Sequence, residues 1–132
     1  MLSKINHVGI AVRSLEEALP LYRDQLGMSF KGIEEVAEQK VRVAMLQIGE
    51  SQIELLEPTF PESPLAKFLE KNGPGIHHLA YEVADIEAAI ARLVADGVRM
   101  IDAVPRSGAH GARIAFIHPK STNGVLTELC AA

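Results

Sequence analysis

Gly75-Ile-His-His-Leu-Ala-Tyr-Glu-Val83 repeats, 71 residues on, the pattern of Asn6-His-Val-Gly-Ile-Ala-Val12, and this pair of segments decides how the chain is organised. Aligning Val12 with Val83 sets His7 against His78. The residues after each copy also match: Ser14-Leu-Glu-Glu-Ala-Leu19 against Asp85-Ile-Glu-Ala-Ala-Ile90, then Leu26-Gly27 against Asp96-Gly97. Each copy later reaches a strand-like segment carrying a glutamate, Glu54 in Gln52-Ile-Glu-Leu-Leu56 and Glu128 in Leu126-Thr-Glu-Leu-Cys130. Two histidines and two glutamates thus fall at matching places in two similar halves.

The chain has 132 residues, one domain's length. Halves of roughly 65 residues are too small to be comfortable alone, so they are expected to share a core within a single domain, 1–132. The expected parts are a first module over about 1–57, a linker helix over about 63–72 and a second module over about 75–132. A net charge of −4 without a lysine and arginine run, and only four phenylalanines and two tyrosines, argue against a nucleic-acid partner. The single cysteine, Cys130, excludes an internal disulfide and suits a reducing compartment. With no membrane-length apolar run and no leader-like N-terminus, the expected location is cytoplasmic.

Alternation over residues 5–12 predicts a strand with Val8, Ile10 and Val12 on one face and His7, Gly9 and Ala11 on the other. The histidine face is otherwise small, which leaves room above the imidazole. Ser14 and Glu17 spell a capping box, and apolar residues at helical spacing run to Gly27, with a kink expected at Pro20. Residues 33–39 read as a poorly defined strand or loop, and 40–48 and 52–56 as strands around the turn Gly49-Glu50-Ser51. In the second copy His78, Ala80 and Glu82 share a face and His77 points away. Asp85 caps a helix to Asp96. Residues 98–104 read as a short strand, 105–112 as a loop without periodicity, and 113–117 and 125–130 as strands flanking a long turn. The pattern is βαβββ twice, an α+β fold.

Such a chain, with His on the first strand and Glu on the last strand of each half, resembles the vicinal oxygen chelate (glyoxalase) superfamily. The string Gly111-Ala-Arg-Ile-Ala-Phe-Ile-His-Pro-Lys-Ser-Thr-Asn-Gly-Val-Leu-Thr-Glu-Leu129 is the most specific, and resembles the methylmalonyl-CoA epimerases of that superfamily. Glyoxalases typically carry an Asp-Pro-Asp-Gly type turn at this point. The resemblance implies two modules forming a U-shaped, partly open mixed sheet around a divalent metal held by His7, Glu54, His78 and Glu128. It implies cobalt first, with nickel, zinc or manganese as alternatives, methylmalonyl-CoA as substrate, and a homodimer.

Imidazole and carboxylate suit a first-row divalent ion, and four protein ligands leave two octahedral positions open for a chelating substrate. The implied reaction interconverts the (2R) and (2S) forms of methylmalonyl-CoA by removing and returning the α-proton. Inversion needs a proton carrier on each face of a planar intermediate, and Glu54 and Glu128 are the expected pair. Several epimerases have glutamine at the place of Glu54 and a separate glutamate at the place of Val43, so this chain departs toward the glyoxalase arrangement.

Taken alone, a strand histidine is more often structural than a ligand, and Glu54 reads equally as a solvent-facing strand residue. Four ligand-type residues at equivalent places in two modules outweigh both readings. His77 is expected to pack, His118 to support its turn, and Cys130 to be buried. His110 could be merely solvated, while Arg113 and Lys120 are candidates to meet anionic groups. The competing functions are glyoxalase I, disfavoured by the turn after His118, and a non-catalytic binding protein of the bleomycin-resistance type, which would keep the fold without the metal. A ring-cleaving dioxygenase normally lacks a fourth ligand such as Glu54.

Overall fold

The alternating segment around His7 becomes β1 (Leu2–Ala11), the first element of a computed structural model that describes residues 1–132. The chain forms two compact units, His7–His77 and the combination of Met1–Asn6 with His78–Ala132.

In the unit of residues 7–77, β1 is followed by α1 (Leu15–Leu19), β2 (Ser29–Val36), β3 (Val41–Ile48), β4 (Ser51–Pro58) and α2 (Pro64–Asn72). The strand order is β2-β3-β4-β1. The β1–β4 pair is parallel and the other two are antiparallel, so the sheet is mixed. Ser14 caps α1 by accepting the Glu17 amide at 3.3 Å, while Glu57 of β4 takes the Leu15 amide at 2.8 Å. Both satisfy amides that a helix start leaves without partners.

The kink expected at Pro20 takes a definite form. Proline cannot donate to a carbonyl four residues back, and Pro20–Gln25 continues as a π-helical turn in which the Leu26 amide reaches the Leu21 carbonyl at 2.8 Å. The apolar stripe continues as far as Tyr22, and Leu26 beyond it is exposed. Val12, Leu15, Leu19, Ala44, Leu46 and Leu55 form this unit's core, with Tyr22 and Met28 packed against it. In α2, Ser63 accepts the Ala66 amide at 3.0 Å and Pro64 fills the first position.

The poorly defined region at 33–39 is better ordered than its glutamates suggested. β2 runs unbroken to Val36, with a bulge between Phe30 and Gly32, and only Ala37–Gln39 is a 3₁₀ turn. Gly32 at φ +120° supplies a conformation that other residues rarely adopt.

The second unit holds the greater part of β5 (Gly75–Val83), then α3 (Ile86–Ala95), β6 (Arg106–Ser107), β7 (Arg113–Ile117) and β8 (Thr127–Ala131). Its order is β5-β8-β7-β6, with β5 and β8 parallel and the rest antiparallel. Each half is therefore βαβββ, as the repeat implied. Asp85 caps α3 through the Ala88 amide at 3.0 Å, and Ile86, Ala89 and Ile90 bury its inner face against Ala115, Ile117 and Leu129.

The strand expected at 98–104 does not form. Met100 makes one isolated bridge to Ile117, and the Asp102 carboxylate accepts the Phe116 amide at 2.8 Å. An aspartate side chain has taken an amide that a neighbouring strand would have used. The edge strand is instead the two-residue β6, inside the segment read as a loop, and the last strand begins at Thr127 rather than at 125.

Candidate functional site

In the first unit, register gathers a face around His7. Gly9 pairs with Glu54 and Met45 with Glu54, while Val43 pairs with both Leu56 and Glu34. Because side chains alternate along a strand, His7, Glu54, Met45, Val43 and Glu34 project to one side. His7 Nδ1 lies 3.3 Å from Glu54 Oε2, and both residues are buried, 3% and 8% exposed.

Burial sets the charge of this pair. It pushes the His7 imidazole down to about 4. It also pushes the Glu54 carboxyl up to about 8, with the charge of Glu34 as a second cause. Near neutral pH without a cation, both groups are uncharged, so their contact is not an ion pair. A neutral imidazole already has a ligand's protonation state, and a carboxyl so reluctant to ionise gains most from a cation.

The second unit repeats the arrangement. Ala80 of β5 pairs with Glu128, and Phe116 of β7 stands opposite Glu128 from the other side. His78 Nε2 lies 3.5 Å from Glu128 Oε1, and both residues are 4% exposed. The Phe116 ring meets His78 edge-on, at 5.6 Å between centroids and 86° between planes. Arg106 of β6 sets its guanidinium carbon 5.4 Å from the Phe116 centroid.

The His7–Glu54 spacing fits one ion held by both residues, and the His78–Glu128 spacing is slightly longer. Two ligand atoms at ~2.1 Å from one metal lie about 3.0–3.4 Å apart for octahedral to tetrahedral angles. The nitrogen and oxygen donor set suits a first-row divalent cation.

Other candidates take structural places. His77 packs edge-on against Phe68 of α2 at 4.9 Å, and burial lowers its pKa. His118 accepts the Lys120 amide at Nδ1, at 3.0 Å, and so holds its turn as expected. Glu82 takes the Asn6 side-chain amide at 3.1 Å, and Arg113 is engaged by Glu87 on α3. His110 is exposed with φ +57°, Lys120 is exposed, and Cys130 is buried beside Ile114 and Phe116. Sequence reading missed Glu34 and Arg106. Glu34 lay in a stretch with no assigned register and Arg106 in a presumed loop, and the signal that locates them is the repeat carried outward to the edge strands.

Comparisons with known proteins identify the family. Residues 6–116 match the family model of the Glyoxalase/Bleomycin resistance protein/Dioxygenase superfamily. The ethylmalonyl-CoA/methylmalonyl-CoA epimerase of Cereibacter sphaeroides is 44% identical over 98% of this chain and 98% of its own length. The mitochondrial methylmalonyl-CoA epimerase of Dictyostelium discoideum is 43% identical over 97% of this chain and 78% of that protein. A solved methylmalonyl-CoA epimerase in complex with methylmalonyl-CoA and NH4+ superimposes with a TM-score of 0.96 at 43% identity, covering 100% of this chain and 96% of the other. The chain belongs to the Glyoxalase/Bleomycin resistance protein/Dioxygenase superfamily, as a relative of its methylmalonyl-CoA epimerases.

Proposed function

We propose that this chain is a methylmalonyl-CoA epimerase, interconverting the (2R) and (2S) thioesters by α-proton removal and return. One observation carries the reading: two matched, buried His–Glu pairs stand in a chain that is like such epimerases along its whole length. His7, Glu54, His78 and Glu128 would hold a divalent ion, with cobalt the first choice over nickel, zinc or manganese. That ion, when bound, supplies Lewis acidity against the charge of the enolate.

Proton movement falls to Glu54 and Glu128. They occupy equivalent places in the two modules, and inversion requires a carrier on each face of the planar enolate, each typically worth ~10²–10⁴-fold in rate. Val43 is an apolar residue that carries no proton, which leaves Glu54 as this unit's buried carboxyl facing His7. The flanking Ala11, Met45 and Leu56 are buried and keep water from the Glu54 carboxyl. The reading extends to a single domain over 1–132, a homodimer and a cytoplasmic location, the last supported by the lone buried thiol of Cys130. No helix is long and apolar enough to cross a membrane. Ethylmalonyl-CoA is a candidate second substrate, because one methylene alters pocket preference by only ~1–3 kcal/mol.

The test is solvent deuterium incorporation into one enantiomer of methylmalonyl-CoA, followed by proton NMR, with cobalt-loaded and chelator-stripped protein. Metal-dependent loss of the α-proton with racemisation is expected. Absence of exchange above the stripped control, with metal bound, would overturn the reading and direct attention to glutathione hemithioacetals.

A further inference from the structure

We propose that Arg106 recognises the free carboxylate of the acyl-CoA substrate and sets the orientation in which it binds, an inference that rests on the epimerase reading above. The residue lies on the right face. Arg106 pairs with Ile114 and Ile114 with Cys130, while Phe116 pairs with Glu128, so alternation turns Arg106 to the side that carries Glu128.

Its guanidinium is also held in place. Nε lies 3.5 Å from Asp102 Oδ2, and that carboxylate is itself fixed by the Phe116 amide at 2.8 Å. The guanidinium carbon stands over the ring of Phe116, and that ring abuts His78. Arg106 is thus linked by direct contacts to a proposed metal ligand, with a side chain still 42% exposed. An arginine braced through Nε presents its two terminal nitrogens as a fork, which matches the two oxygens of a carboxylate.

The repeat supplies an independent argument. Glu34 pairs with Val43 as Arg106 pairs with Ile114, and Met45 stands opposite Glu54 as Phe116 stands opposite Glu128. The two edge-strand positions are equivalent and carry opposite charges. A malonyl thioester has a carboxylate on one side of its α-carbon and a thioester carbonyl on the other, and the two oxygens are similar as chelating donors. Two nearly equivalent His–Glu pairs alone would distinguish these ends poorly. A guanidinium on the face that carries Glu128 breaks that equivalence and draws the anionic end toward the His78–Glu128 pair.

The test compares two inhibitors that cannot enolise, a thioether of CoA ending in a carboxylate and its primary carboxamide, against metal-loaded wild type, Arg106→Gln and Arg106→Lys. Arg106→Gln is expected to weaken the carboxylate inhibitor by about 10- to 100-fold and the carboxamide by less than about threefold, since a charge-assisted hydrogen bond is lost only with the first. Arg106→Lys, which restores charge without the fork, should fall between. Equal loss for both inhibitors, or no loss for either, would overturn the proposal. Wild-type exchange of the methylmalonyl-CoA α-proton is measured in parallel. Its absence overturns the epimerase reading, while the inhibitor pair still reports whether Arg106 selects a carboxylate.

Discussion

Glu34 and Glu54 share one face of a mixed sheet with β3 between their strands, and the charge of Glu34 adds to burial in raising the Glu54 carboxyl to about 8. His7, 3.3 Å from Glu54, is shifted the other way by burial alone, to about 4. The two shifts act oppositely on stability.

Burial of neutral His7 makes the unfolded chain bind more protons between its two pKa values, so its contribution is lost as pH falls from 6.5 to about 4. For Glu54 the folded chain binds more protons, so stability is lost as pH rises from 4.5 to about 8. Where the windows overlap the effects cancel, and above 6.5 Glu54 acts alone. Chelator-stripped protein should therefore lose on the order of 2 kcal/mol between pH 6.5 and 8. Saturating cobalt should abolish that loss, because a bound cation stabilises the ionised carboxylate. Thermal unfolding at the two pH values, with and without metal, checks both statements.

Glu54→Gln should retain metal, since an amide oxygen can ligate, and lose about 10²- to 10⁴-fold in epimerisation, since it cannot carry a proton. Metal content by elemental analysis and turnover by deuterium exchange separate the two functions. Near-normal turnover in the metal-loaded variant would remove Glu54 from the proton-carrying role.

Leu55 alternates with Glu54 and faces the opposite side of β4, fully buried among Leu15, Leu19 and Leu46. Leu55→Ala should cost about 2–5 kcal/mol in denaturant unfolding. Its neighbour is a proposed ligand, so the variant also tests whether the core and the site are separable. Metal binding to the fraction that remains folded should be little changed.

Asp85→Ala removes the acceptor for the Ala88 amide at the start of α3. The expected loss is about 1 kcal/mol, typical of an N-cap, with turnover of the folded protein unaffected. His118→Ala should act similarly and more weakly, because the acceptor it withdraws from the Lys120 amide lies in an exposed turn.

The positions of His7, His78, Glu54 and Glu128 were legible because the repeat marks them twice, and alternation fixes a strand's two faces once one residue is placed. Asp85 and Ser14 were legible as caps because their chemistry is local. The π-turn after Pro20 was not, since sequence shows that proline must break a hydrogen bond and not which carbonyl the chain takes next. β6 escaped because two residues carry no periodicity and Pro105 precedes them. Residues 98–104 misled for the reverse reason: Val98, Met100 and Val104 alternate in type, but the Asp102 carboxylate claims the Phe116 amide that would have anchored a strand there.

The boundary between the two units falls within β1, between Asn6 and His7, and again within β5, between His77 and His78. One unit is therefore assembled from segments that precede and follow residues 7–77. During synthesis residues 1–6 leave the ribosome well before their companions at 78–132 exist, whereas residues 7–77 form an uninterrupted stretch. Cutting the gene at the linker would strand that N-terminal hexapeptide in the wrong fragment. A cut at 77/78 that transplants residues 1–6 onto the later piece is the division the architecture itself draws.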